Sequence, residues 1–306
     1  MTFSLLLPRR AKLDANEPVN FSYSRPEHTA LRRALIRSSE ILSGQPRLKR
    51  LYTEFRTNPR TDKGFFDAAV RLLELDIRCS SSALRRAPAS GPVVFVANHP
   101  YGVLDGVVLC WLAAQHRPDL RVLVHSLLCQ PPELREIFLP IDFGPTEEAR
   151  ATTLRARANA LQWLREGHAI GVFPGGSVAT SLKPFTGAAL DPAWHPFIAK
   201  LIVNARATVV PIYFAGQNSR LFQIASHLNY TARLSLLFRE TARRIGSRVD
   251  VAIGAPIPYC ELEGFESRRD LLLVLRRRTL ALAADLGEPV PDYRAEFTFP
   301  RHIKFD

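Results

Sequence analysis

Cysteine is scarce. Cys79, Cys110, Cys129 and Cys260 are the four in 306 residues, with no Cys-x-x-Cys pair and no Cys/His cluster at zinc spacing. This excludes a disulfide-stapled scaffold and a zinc ribbon, and a reducing compartment is the simplest expectation. Long apolar runs are also lacking. The longest, Gly106 to Ala114, is nine residues, about half of what a membrane-spanning helix needs. The opening MTFSLLLPRR puts its basic residues after a short apolar stretch, the wrong order for a secretory leader, so none is expected. No His-Glu-x-x-His occurs and the eight His are scattered, so no metal site is expected. No Gly-x-Ser-x-Gly elbow occurs either, and a serine-esterase mechanism lacks its usual mark.

Acidic residues are the minority, 29 against 41 basic, for a net charge of +12. The imbalance is concentrated: residues 1–90 hold 17 Lys/Arg and 9 Asp/Glu. A basic flank on a nearly balanced body suits an anionic partner met at one end. The basic residues are not interleaved with aromatics along a strand face, and no nucleic-acid module signature appears, so nucleic acid is not expected.

What is present is ordinary globular material, 46% hydrophobic and 23% charged, long enough to bury a sizeable core. Residues 1–27 carry no periodicity and read as an extended arm. Helical patterns follow near 28–43, 46–57 and 63–78. The last is amphipathic, with Phe66, Ala69, Val70, Leu73 and Ile77 on one stripe. From residue 91, apolar strands alternate with helices. The strands are expected at Val93–Ala97, Arg121–His125, His168–Phe173, Thr208–Phe214 and Arg248–Ile253. The helices are expected from about Asp105 to Gln115, and over Thr146–Glu166, Pro192–Asn204 and Ser267–Leu286. This alternation predicts an α/β fold with a largely parallel central sheet flanked by helices. The expected division is a basic helical N-terminal cap over 1–90 and one catalytic-type domain over 91–306.

Three segments carry chemistry. In the first, a buried strand ends in Asn98-His99, turns through Pro100 and Gly102, and enters a helix at Asp105. Ligand sites in open α/β sheets gather at the carboxyl ends of strands. A turn of this length returns the Asp105 carboxylate to one ring nitrogen of His99 and leaves the other free to take a proton. The alternative is that Asp105 is a helix cap and His99 a loop residue. The second segment is Phe173-Pro174-Gly175-Gly176-Ser177, where glycines let backbone N–H groups approach a phosphate or oxyanion; an ordinary strand-to-helix turn reads equally well. The third is Val209-Val210-Pro211-Ile212-Tyr213-Phe214, followed by Gly216-Gln217-Asn218-Ser219-Arg220. Its proline suggests an edge strand, a bulge or a groove wall.

Together and in this order, the segments resemble the glycerolipid acyltransferase superfamily. Asn98-His99…Asp105 is similar to its His/Asp catalytic block, Phe173-Pro174-Gly175-Gly176 to its Phe-Pro-x-Gly acceptor block, and Val210-Pro211-Ile212 to its proline-containing block. The closer resemblance is to the hemolysin-like, lyso-ornithine-lipid acyltransferase branch, which reads Asn-His-Pro-x-Gly-x-x-Asp-Gly and later Gly-x-Asn-Ser-x-x-Phe. Five residues separate His99 from Asp105, one more than in the wider family, and Gly175 stands where that family usually has Glu.

The resemblance implies an O-acyltransferase without a covalent intermediate or cofactor. His99 serves as general base and Asp105 holds the ring, while backbone N–H groups near Gly175–Gly176 receive the oxyanion. An acyl-carrier protein or acyl-CoA thioester donates the chain. A lysolipid accepts it, with a lyso-ornithine lipid or lysophosphatidic acid as candidates. Asn98, Gly102, Phe173, Pro174, Gly175, Gly176 and Asn218 are the implied substrate-contacting positions, with Arg150, Lys183 and Arg220 as candidate phosphate contacts. An anionic membrane surface is the expected partner, met through the N-terminal helices and through Arg268, Arg269, Arg276, Arg277 and Arg278. The expected place is the inner face of the cytoplasmic membrane, peripherally bound. A catalytically degenerate lipid binder of the same family is the rival reading.

Overall fold

The computed structural model describes residues 44–57, 64–300 and 302–303; the arm over 1–27 and the helix expected at 28–43 lie outside them. A seven-stranded sheet forms the centre, in the order β1 (Asp76–Arg78), β9 (Arg248–Ile253), β8 (Thr208–Phe214), β2 (Val93–Ala97), β5 (Ala169–Val172), β3 (Arg121–His125), β4 (Phe138–Ile141). The five strands from β8 to β4 run parallel. β9 runs against β8, and β1 runs parallel to β9. A two-stranded ribbon, β6 (Thr180–Ser181) with β7 (Ala189–Leu190), stands apart.

Every residue of β2 is buried, and side-chain alternation splits it between two cores. Val93, Phe95 and Ala97 join Leu104, Leu109 and Val210 on one face, while Val94 and Val96 join Ile170, Ile198 and Ile202 on the other. The first face is covered by α2 (Phe65–Leu72) and α4 (Val103–Ala114). α4 is apolar nearly all round, the composition of a helix without a solvent face. The second face is covered by α5 (Glu147–Arg165), α6 (Pro196–Ala205) and α9 (Arg268–Ala281).

The helix expected over 63–78 ends early. α2 stops at Leu72, Glu74 takes a left-handed φ of 51°, and Asp76–Arg78 hydrogen-bonds along β9 as a strand. An edge place in the sheet gives this segment more hydrogen bonds than another helical turn would. Of the expected cap, α1 (Gln45–Thr57), α2 and the short α3 (Ser81–Arg85) are described, and β1 belongs to the main sheet. Pro211 lies in an interior strand, not at an edge. Its missing N–H falls where the neighbouring chain steps aside: Gly254 N donates to Pro211 O at 2.9 Å, and pairing resumes between Val209 and Ile257. α7 (Arg220–Leu228) and α8 (Tyr230–Arg243), where no element was expected, pack against each other, and α8 supplies one wall of the site.

Candidate active site

Sheet register assembles the site. β2 pairs in parallel with β5, with Val96 opposite Val172, and with β8, with Ala97 opposite Ile212. Three chain segments therefore leave the sheet side by side at its carboxyl end. Asn98 continues the pairing with its side chain. Its Nδ2 donates to Phe214 O at 2.9 Å and its Oδ1 accepts from Phe214 N at 2.7 Å. Two such buried bonds are worth roughly 1 kcal/mol each, and they commit the Asn98 amide to the scaffold.

His99 is held from every side. Its N–H donates to Asp191 Oδ1 at 3.1 Å, its carbonyl accepts from Ala179 N at 2.7 Å, and its ring stacks on Phe173 with centroids 4.0 Å apart. The ring Nδ1 faces Asp105 Oδ2 at 3.0 Å, off the line of an ideal N–H···O bond. The Asp105 side chain is fully buried, and its Oδ2 also accepts from Tyr101 N at 2.8 Å and Gly102 N at 2.9 Å. The two readings of this pair thus coexist: Asp105, third residue of α4, ties the helix start and faces the imidazole. Gly102 has a φ of +89°, the left-handed turn that only glycine enters cheaply.

The turn is braced from behind. Tyr101 Oη donates to Ala215 O at 2.6 Å, the Arg244 guanidinium lies 4.2 Å over the Tyr101 ring, and Asn218 Nδ2 donates to Tyr101 O at 3.3 Å. Gly216 has a φ of +90°, and a Cβ there would sit 2.1 Å from the Tyr101 hydroxyl oxygen. The Gly216-x-Asn218-Ser219 segment thus clamps the back of the His99–Asp105 turn.

His99 opens onto a cavity of about 610 Å³, within the usual size for a small-molecule site. Phe66, Leu134, Phe138, Ile141, Leu237 and Phe238 are among its mostly apolar lining, and Gly102, Phe173, Pro174, Gly175 and Gly176 border it. At Gly175 a Cβ would meet Pro192 Cδ at 3.2 Å, so a side chain there would require Pro192 to give by a few tenths of an ångström. The Gly176 N–H is already spent, donating to Phe173 O at 2.9 Å within the turn, so this expected oxyanion donor is committed elsewhere.

The three charged candidates do not reach the cavity. Arg150 is exposed and pairs with Glu147 at 3.1 Å. Lys183 and Arg220 are exposed, and neither lines the cavity. Arg276 is buried, its guanidinium donating to the carbonyls of Asp191, Pro192 and Ala295. It therefore supports the loop that holds the His99 backbone and is absent from any docking face; Arg268, Arg269, Arg277 and Arg278 are exposed.

The arginines and further histidines that line the cavity came from outside the motifs. Arg157 lies 4.9 Å over the Phe197 ring, with Nε buried and unpartnered. Arg233 is buried in hydrogen bonds. His125 and His195 complete the set, and no Asp or Glu lines the cavity among the described residues. Burial, and then the charge of Arg157, hold His195 below its ordinary value. Asp191 was also missed. Burial raises its pKa against the opposing charge of Arg276.

A family described as Acyltransferase matches residues 49–288. Two curated relatives are each named lyso-glycine lipid O-acyltransferase. The one from Phocaeicola vulgatus is 26% identical over 202 residues, 64% of this chain and 69% of the relative. The one from Bacteroides thetaiotaomicron is 24% identical over 202 residues, 64% of this chain and 71% of the relative. Among solved structures, the 1-acyl-sn-glycerophosphate (LPA) acyltransferase PlsC from Thermotoga maritima is 17% identical, covers 85% of this chain and 95% of its own, and has a TM-score of 0.48. The family match spans most of the sequence, and this chain is an enzyme that belongs to the acyltransferase family.

Proposed function

We propose that this enzyme moves a fatty acyl group from a thioester to the hydroxyl of a lysolipid, with His99 as general base. The observation that carries the reading is the His99 Nδ1–Asp105 Oδ2 approach of 3.0 Å at the wall of a largely apolar cavity. With Nδ1 turned to the carboxylate, Nε2 is the nitrogen that takes the proton from the acceptor hydroxyl. The oxygen attacks the thioester carbonyl, the C=O pair moves onto oxygen, and collapse expels the thiolate, which recovers the proton from the imidazolium. Asp105 fixes the tautomer and offsets the charge on the ring.

The acceptor carries an anionic group. Arg157 supports this: it is a cation without a carboxylate partner among the described residues, in a cavity lined there by no acid. A lysolipid ending in a carboxylate, such as the lyso-glycine lipid in the names of both relatives, fits that chemistry, as does a phosphate head. The donor is acyl-carrier protein or acyl-CoA.

The enzyme works from the membrane surface. Among the described residues no helix is long and apolar enough to cross a bilayer. The exposed arginines of α9 and the exposed Arg47, Lys49 and Arg50 of α1 suit an anionic surface, at about 1 kcal/mol per cation close to it. The test is acyl transfer by purified protein from labelled acyl-carrier protein or acyl-CoA to a panel of lyso-glycine lipid, lyso-ornithine lipid and lysophosphatidic acid. Product with an anionic lysolipid is expected. Absence of product from every pair, with the protein folded and bound to liposomes, favours the degenerate lipid binder.

A further inference from the structure

The Gly176 N–H is consumed by its own turn, which removes one of the backbone donors expected at Gly175–Gly176 and leaves room for a side-chain donor to the oxyanion of the proposed reaction. Ser177, the next residue, lines the cavity. Its Oγ accepts a hydrogen bond from Arg233 Nη2 at 3.1 Å, and its own proton has no acceptor among the described residues. The same guanidinium donates through Nη1 to Thr180 Oγ1 and to Ser226 Oγ, both at 2.6 Å, and through Nη2 to the carbonyl of Val178. It also packs 4.7 Å over the Phe222 ring and 5.1 Å over the Phe299 ring.

All of these acceptors are neutral, and Arg233 has no ion pair with an acid among the described residues. A buried cation compensated only by dipoles keeps much of its field, because little solvent screens it. That field acts on the segment that turns back beside His99, where Ala179 N donates to His99 O. Burial pulls the Arg233 pKa down to about 9, which leaves it protonated at neutral pH.

We propose that Ser177 is the hydroxyl that donates to the developing acyl oxyanion, and that Arg233 is the positioning residue that fixes and polarises it. The inference rests on the acyl-transfer reading above. With its oxygen held by a cation, the Ser177 hydroxyl becomes a stronger donor at the cavity wall. Ser177 keeps its proton throughout. It donates a hydrogen bond as the carbonyl pair moves onto oxygen and is released when the thiolate leaves. Arg233 acts only through Ser177 and the backbone at Val178.

The experiment is steady-state acyl transfer from acyl-CoA to an anionic lysolipid by wild type and by Ser177→Ala, Ser177→Thr, Arg233→Met, the Ser177→Ala/Arg233→Met double variant and His99→Ala. Loss of one oxyanion donor costs about 100-fold in kcat. That loss is expected for Ser177→Ala, with acceptor KM changed less than about twofold, because the contact strengthens only in the transition state. Ser177→Thr, which keeps the hydroxyl, is expected within about fivefold of wild type on the same reasoning. Arg233→Met in the Ser177→Ala background adds little further loss, the non-additivity of groups acting as a unit.

Ser177→Ala with kcat within about threefold of wild type, far below the cost of a lost donor, overturns the proposal if His99→Ala is inactive. So does an effect confined to KM, or a threonine no better than alanine. Wild type as inactive as His99→Ala overturns the acyl-transfer reading and this one with it. Arg233→Met that fails to fold leaves the serine series to decide.

Discussion

Two regions carry polar groups that the sequence offered for the same work, and the fold treats them differently. At the carboxyl ends of β2 and β5, His99, Asp105 and the Phe173–Ser177 turn converge on one cavity. On the periphery, Arg150, Lys183 and Arg220 point into water. The difference lies in what holds each group. The convergent residues follow interior strands whose register fixes their exits to within a residue, whereas the peripheral ones sit on exposed turns of helices or in a loop. The cations that do reach the cavity, Arg157 and Arg233, project from the inner faces of α5 and α8. Proximity in sequence to a motif is therefore a poor guide to which charge serves the site; the facing of the helix decides.

The sharpest way to break this contrast within the convergent region is Asp105→Asn. An amide cannot offset the imidazolium and presents a donor where the backbone N–H groups of Tyr101 and Gly102 need an acceptor. We expect kcat to fall by about 10²–10⁴-fold, the typical contribution of general-base catalysis, in single-turnover acyl transfer. Loss smaller than threefold would detach Asp105 from the chemistry.

Arg157→Met comes next. A hydrogen bond to a charged group is worth about 1.5–3 kcal/mol, so acceptor KM should rise by roughly 10-fold or more for an anionic lysolipid, with kcat little changed. An uncharged monoacylglycerol should show no such rise, and an equal rise for both acceptors would remove Arg157 from headgroup recognition.

Smaller still are Arg150→Ala, Lys183→Ala and Arg220→Ala. Exposed charges of this kind contribute about 0–1 kcal/mol. Each variant should keep kcat/KM within about fivefold in detergent micelles, and a loss of about twentyfold or more in any one would bring the periphery into the site.

The smallest effect is a pH slope. His195 caps α6, its Nδ1 accepting from Phe197 N at 3.1 Å, and its folded pKa lies below the ordinary 6.5. As pH falls the unfolded chain takes the proton first. Stability should therefore decline from about pH 6.5 down to the folded value. His195→Asn keeps a capping oxygen and should flatten that decline when urea midpoints at pH 7 and 5 are compared. An unchanged slope would assign it to other groups.

The five interior strands and the His/Asp turn were legible in the sequence because buried interior strands are short, largely apolar and bounded by Gly and Pro; the two edge strands, β1 and β4, were not expected. The turn residues then follow by counting. The rest was not legible, for identifiable reasons. Asp191 reaches the His99 backbone across 92 positions, a contact no local pattern encodes. Arg233 lies outside every motif and joins the site only because α7 and the 177–180 segment close over it. Asp76–Arg78 extends a helical stripe in sequence, yet the open edge of β9 draws it into the sheet. Gly175 stands where the wider family has Glu, and a Cβ there would press on Pro192 Cδ at 3.2 Å, a contact that only the folded loop shows.

The central claim is that His99 removes the acceptor's proton. The direct measurement is single-turnover transfer from a labelled acyl thioester to an anionic lysolipid by wild type and His99→Ala, with thermal unfolding of both. The account predicts product from wild type, loss of at least about 10²-fold in the variant, and an essentially unchanged melting temperature. A folded His99→Ala protein that turns over at the wild-type rate would contradict it.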